Sequence, residues 1–130
     1  MKKKITIAID AMGGENAPRK NIEGLNLFLK KNNKHKDFIV HLYGNESAIK
    51  EELNKYNIPE HYIKIIHTDD TVSDKETPLK AIKNSKNTSM WNCVQAQLDE
   101  KADISLSAGN TGVLLVISKM ILKTMNKVDK

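Results

Sequence analysis

Four short runs rich in β-branched and other apolar residues are separated by segments long enough for a helix. They are Ile5-Thr6-Ile7-Ala8-Ile9, Phe38 to Tyr43, Tyr62 to Ile66 and Ala102 to Leu106. Continuous apolar runs of this length read as strands buried on both faces. A strand followed by a helix-length connection returns parallel to itself, and the crossover covers one face of the sheet. The order βα, βα, βαα, βα therefore predicts an α/β fold with a mostly parallel sheet and helices on both faces, a three-layer αβα arrangement. No linker or internal repeat divides the 130 residues, so residues 1–130 are expected to form a single domain. Doubly wound domains usually have five or more strands, and no closing strand or C-cap glycine follows the fourth unit. The expectation is a truncated domain, incomplete at its C-terminus.

The connecting segments carry helical signals. Ile22, Leu25, Phe28 and Leu29 recur at helical spacing, which predicts a helix over roughly 18–31. Asn45 is a candidate cap for a helix whose inward stripe is Ile49, Leu53 and Tyr56, ended by Asn57 to Pro59. Thr77-Pro78 opens a short helix through about Asn84. A second helical piece follows Thr88 or Ser89, with Met90, Trp91, Val94 and Leu98 expected inward. Val113 to Met125 reads as a nearly apolar helix with one polar stripe, Lys119 and Lys123.

Composition narrows the function classes. The longest apolar run, Val113 to Ile117, falls far short of the roughly 20 residues that span a bilayer. Met1-Lys2-Lys3-Lys4 resembles the basic region of an export signal, but the apolar stretch behind it ends at Asp10. A single cysteine, Cys93, forms no internal disulfide and fits a reducing cytoplasm. The four His and one Cys show no metal-ligand spacing, so no metal is expected. The net charge is +5, yet 20 of the 21 basic residues are Lys and only Arg19 is Arg. Lys, Asn and Ile all have A/T-rich codons, so a biased genome accounts for the excess. Nucleic-acid binders use more Arg and interleaved aromatics, and aromatics are 5% of this chain, so no nucleic-acid partner is expected.

In a parallel sheet the carboxyl ends of all strands meet at one edge, where ligands bind. Three unusual loops follow strand ends there: Asp10 to Asn16, His67 to Asp70, and Ser107-Ala108-Gly109-Asn110-Thr111-Gly112. The third is the most specific. A helix N-terminus offers unpaired N–H groups and about half a positive charge. Gly109 and Gly112 would let the backbone approach an anion, and Ser107, Asn110 and Thr111 add side-chain donors. An ordinary capped βα turn fits the same residues equally well. The segment from Lys83 to Met90 is a second anion-site candidate, with a capped helix and a solvated lysine as its plainer reading. Asp10 either serves a catalytic or cation-binding group or bonds its own loop, and Gly13-Gly14 reads as a tight turn. Cys93, with no His nearby in sequence, reads as a buried inert thiol, and His67 is the one histidine placed to act as acid or base. There is no GxxxxGK[ST] or GxGxxG fingerprint.

Asp10-Ala11-Met12-Gly13-Gly14-Glu15-Asn16-Ala17-Pro18 resembles the opening motif of the bacterial phosphate acyltransferases of phospholipid synthesis. Lys86-Asn87-Thr88-Ser89-Met90 resembles that family's Lys-Asp-Ser-Ser-Met segment, and Ser107 to Gly112 its Ser-Ala-Gly-Asn-Thr-Gly-Ala segment. The motifs occur in order along almost the whole chain. Departures are Glu15 for Asp, Asn87-Thr88 for Asp-Ser, and Val113 for a small residue; family members are also usually more than twice as long. The resemblance implies an isocitrate/isopropylmalate dehydrogenase-like fold and conversion of acyl-acyl-carrier-protein and inorganic phosphate to acyl phosphate, without metal, cofactor or covalent enzyme nucleophile.

On this resemblance, Ser107, Gly109, Asn110, Thr111 and Gly112 would hold phosphate, with Lys86 and Ser89 closing on it. Asp10, Gly13, Gly14 and Asn16 would shape the same cleft, and no general acid or base is identified. The implied partners are inorganic phosphate and acyl-acyl-carrier-protein, with a homodimer and peripheral membrane association as further expectations. Two other readings remain: a non-catalytic remnant, and a small phosphate- or nucleotide-binding module.

Overall fold

The first β-branched run becomes β1 (Ile5–Asp10), and it pairs on both sides. β2 (Phe38–Gly44) lies parallel to it from Ile5↔Phe38 to Asp10↔Tyr43. β4 (Ile104–Ser107) lies parallel on the other side, from Ile7↔Ile104 to Asp10↔Ser107. β3 (Ile63–His67) pairs outside β2, giving a four-stranded, all-parallel sheet in the order β3-β2-β1-β4. The computed structural model describes residues 4–31, 37–73, 75, 77–83 and 85–123.

The two faces of β1 meet different partners because side chains alternate along a strand. Ile7 and Ile9 join Val40 and Leu42 beneath Ile22 and Leu25 of α1 (Arg19–Lys31) and Ile49 of α2 (Glu46–Leu53). Ala8 faces the other way, against Cys93 and Ala96 of α4 (Ser89–Leu98). Small side chains let α4 lie close, and Ser105 Oγ donates to the Cys93 carbonyl at 2.9 Å. On its outer side α4 packs against α5 (Thr111–Leu122), which in turn packs against α3 (Pro78–Lys83). Ala81, Met90, Val94, Val113, Ile117 and Ile121 form that second, purely helical cluster. The α/β reading with helices on both faces therefore holds.

Several local expectations shift. Tyr62 belongs to a 3-10 turn before β3, and β4 begins at Ile104 because Lys101 and Ala102 still close α4, both donating to the Ala96 carbonyl. α2 ends at Leu53, so Tyr56 reaches the core from the following turn rather than from the helix. Phe28 is exposed at the rim, its ring centroid 5.2 Å from that of Phe38. On α4, Leu98 is exposed and Trp91 only half-buried, while Cys93 and Ala96 are inward. A one-stripe reading fails there because α4 is covered on two sides. α5 runs from Thr111 to Leu122 rather than from Val113 to Met125, closed by Lys123 at φ 62°, while Met125 and Asn84 themselves lie outside the described residues. No described helix is long and apolar enough to cross a membrane.

Leu42 has no exposed surface and sits at the centre of the sheet's α1–α2 face. Leu42→Ala should cost about 2–5 kcal/mol, read as a lowered urea midpoint at unchanged slope. A loss well under 1 kcal/mol would show that this face is not the core.

Candidate functional site

The β1–β4 register places Asp10 directly beside Ser107 at the carboxyl edge of the sheet. Ser107 Oγ donates to Asp10 Oδ2 at 2.8 Å. From the start of α4, Ser89 Oγ donates to Asp10 Oδ1 at 2.5 Å, and the Met12 N–H reaches the same oxygen at 3.2 Å. Ser107 Oγ in turn accepts the Gly109 N–H at 3.1 Å. One carboxyl group thus joins all three motifs. Asp10 is only 2% exposed. Burial pushes its pKa up, opposed by the hydrogen bonds from Ser89, Ser107, Met12 and Gly13.

The glycines permit this convergence. A Cβ on Gly13 would lie 2.7 Å from Asp10 Oδ2, 2.9 Å from the Gly109 nitrogen and 3.0 Å from Ser107 Oγ. Gly14 adopts φ +93°, a left-handed conformation, beside the Ala108 carbonyl. A Cβ on Gly109 would meet Met90 Cε at 2.8 Å. The first motif therefore packs directly on the third, with α4 supporting both.

Asn21 of α1 pins the first loop: its Nδ2 donates to the carbonyls of Ala11 at 2.7 Å and Gly13 at 2.9 Å. Nothing in the motif pattern singled Asn21 out. The available signal was an amide in the first turn of the helix that follows a glycine-rich loop.

Asn110 caps α5, its Oδ1 accepting the Val113 N–H at 3.2 Å while its Nδ2 donates to the Ser73 carbonyl at 3.2 Å. Thr111 and Gly112 lie in the first turn of α5, where backbone N–H groups have no intrahelical acceptor. A Cβ on Gly112 would sit 3.5 Å from Pro78 Cγ, so the starts of α3 and α5 are side by side. Lys86 is exposed on a 3-10 turn (Ser85–Asn87). That turn is tied to the loop after β3, because Asp70 donates its N–H to the Asn87 carbonyl and accepts the Ser89 N–H. Asn16 is exposed at φ 57°. Asp10, Gly13, Gly14, Ser89, Ser107 and Gly109 are thus brought together, Asn110 to Gly112 continue directly from them, and Asn16 and Lys86 stand on the exposed surface.

The remaining candidates are occupied. His67 accepts the Glu46 N–H on Nδ1 at 3.1 Å, and its Nε2 pairs with Asp69 at 3.0 Å, so both ring nitrogens serve local structure. Cys93 is buried, its thiol pushed up to about 12 by desolvation and the neighbouring Asp10 charge. It is inert at neutral pH. Among the described residues no three His, Cys, Asp or Glu side chains gather into a metal-binding group.

Residues 5–130 match the family model described as fatty acid synthesis protein. The chain belongs to that family. It is 44% identical over its whole length to the phosphate acyltransferase of Pelagibacter ubique, covering 38% of that protein. It is 41% identical over 124 residues to the phosphate acyltransferase of Streptococcus mutans, covering 95% of this chain and 35% of the relative. The chain thus spans little more than a third of the length of these relatives, and the three converging motifs all lie within the matched region.

Two outcomes test this site. Gly13→Ala should destabilise by more than about 1 kcal/mol, because three polar atoms must separate, whereas Gly24→Ala, in open space within α1, should stabilise by roughly 0.5–1 kcal/mol. Equal effects in thermal or urea unfolding would refute the close packing. Asp10 titrates higher in the folded chain than its ordinary 3.8, so folding favours its protonated form. Its contribution to stability is full below the unfolded pKa and is lost as pH rises through the folded one. The stability of the native chain should fall over that window relative to Asp10→Asn; parallel pH profiles would contradict this.

Proposed function

We propose that the chain carries the phosphate-binding part of a cytoplasmic phosphate acyltransferase, which makes acyl phosphate from acyl-acyl-carrier-protein and inorganic phosphate for phospholipid synthesis. The observation carrying this reading is the convergence of the three motifs on Asp10, immediately before the α5 N-terminus. The first-turn N–H groups of Thr111 and Gly112, with the Thr111 hydroxyl, would receive the phosphate. Lys86 would approach from the exposed turn, and Asn16 would border the cleft. Gly13, Gly14 and Gly109 keep side chains out of the approach, while Ser89 and Ser107 hold the floor.

Phosphate is largely ionised at neutral pH, so it needs positioning more than deprotonation. A phosphate oxygen attacks the thioester carbonyl carbon and forms the C–O bond. The oxyanion that develops calls for N–H or cationic stabilisation. It collapses with cleavage of the C–S bond, and the thiolate leaves and takes up a proton. Neither Cys93 nor His67 is needed as a nucleophile or base.

The second reading is a phosphate-binding unit with no turnover of its own, favoured by the share of the relatives that the chain spans. The deciding assay mixes the purified 130-residue chain with acyl-acyl-carrier-protein and phosphate and measures acyl phosphate. Turnover would establish the first reading, and Asn110→Ala should then raise the phosphate KM about tenfold or abolish the rate. Phosphate binding without turnover would favour the second reading. Unchanged kinetics in both Asn110→Ala and Lys86→Ala would remove the site assignment.

A further inference from the structure

A buried aspartate at a strand end has an ordinary explanation: it bonds the backbone of its own loop, as Asp10 does at the Met12 N–H. An asparagine would serve that purpose as well. What only a carboxylate does is accept at both oxygens, since an ionised carboxylate has no donor of its own. Asp10 uses that capacity on two hydroxyls from distant parts of the chain, Ser89 and Ser107. Each hydroxyl proton is thereby turned inward. With its proton committed, Ser107 Oγ presents a lone pair to the Gly109 N–H. Gly109 immediately precedes Asn110, the cap of α5.

We propose that Asp10 is a positioning residue for the anion site: acting through Ser107, it fixes Gly109 and so the direction of the α5 first-turn N–H groups, without touching the anion. This rests on the phosphate reading above. It also separates the roles of the motif residues. Ser89 and Ser107 are members of the buried network, and the ligand donors are those further along, at Thr111 and Gly112. The packing agrees, because Gly13 fills the space directly above Asp10 Oδ2 and Ser107 Oγ, within Cβ distance of both.

Electrostatics makes the proposal testable by sign. A negative carboxylate near an anion site repels the anion, so neutralising it with no other consequence should tighten phosphate binding. A positioning role predicts the reverse. In Asp10→Asn the amide oxygen must keep the Met12 N–H, so Nδ2 faces Ser107. Ser107 Oγ then receives two donors, its own proton is displaced, and the Gly109 bond weakens.

The experiment is calorimetric titration of inorganic phosphate into the 130-residue chain at neutral pH, as wild type, Asp10→Asn, Ser107→Ala and the double variant. Each single change should weaken phosphate binding about tenfold, and the double variant no further than the weaker single, because both act through one relay. The Gly109 amide resonance in 15N-labelled protein should move in both single variants, a signature that general loosening of the fold does not single out. Asp10→Asn binding phosphate as tightly as wild type, or more tightly, overturns the positioning role while leaving the phosphate reading intact. Ser107→Ala with wild-type affinity overturns the relay even if Asp10→Asn fails to fold. Wild-type chain that binds no phosphate at millimolar concentration instead overturns the phosphate reading, and the positioning role with it.

Discussion

The fold depends at one point on a buried carboxyl group. Asp10 is the one acidic side chain buried among the described residues, and its neighbours there are hydroxyls and N–H groups. Removing a carboxylate from water is costly unless hydrogen bonds replace the lost solvation. Here two hydroxyls and a loop N–H supply them, each from a different stretch of chain. That requirement disciplines its surroundings. β1 and β4 must end in register, α4 must begin with a hydroxyl, and the loop between must be glycine where it crosses the carboxylate.

α4 connects this network to the rest of the molecule. Its first residue, Ser89, bonds Asp10, its second, Met90, lies against Gly109, and both are buried. Met90 and Val94 belong to the helical cluster with α5, while Cys93 and Ala96 belong to the cluster on the sheet. A disturbance at Asp10 therefore reaches both clusters through one short helix. The same arrangement explains the inertness of Cys93, whose thiol shares the poorly solvated space beneath the carboxylate.

The sequence made the strands and caps legible because both depend on short-range chemistry. The β-branched runs became β1 to β4, and Asn45, Thr88 and Asn110 each accept an N–H three residues on, as caps do. The inward face of α4 was not legible, because a helix covered on two sides has no single apolar stripe and Leu98 took the place that Cys93 and Ala96 hold. Residue types in the motifs were also visible, but proton direction was not. Ser89 and Ser107 read as hydroxyls available to a ligand, whereas both donate to Asp10, a partner 79 residues from one and 97 from the other. The role of Asn21 is not legible for a related reason: its two acceptors are carbonyls, which carry no side-chain signature.

The position of β4 explains why so much bonding is concentrated at its end. It has four residues and, among the described residues, lies at the edge of the sheet and is held by β1 on one side alone. Its outer residues Ile104 and Leu106 are about half exposed, so little apolar packing holds it from that face. Its other residues face α4, where Ser105 bonds the Cys93 carbonyl and Ser107 bonds Asp10. A short edge strand frays at its ends unless something beyond the ladder ties it down. At the N-terminal end Asp103 does this, exchanging bonds with Thr6 through both its backbone and its side chain. At the C-terminal end the tie is the Asp10–Ser107 pair. The loop that leads into α5 hangs from that second tie, so the buried carboxylate acts on the α5 N-terminus through Ser107 and Gly109, alongside the Asn110 bond to Ser73.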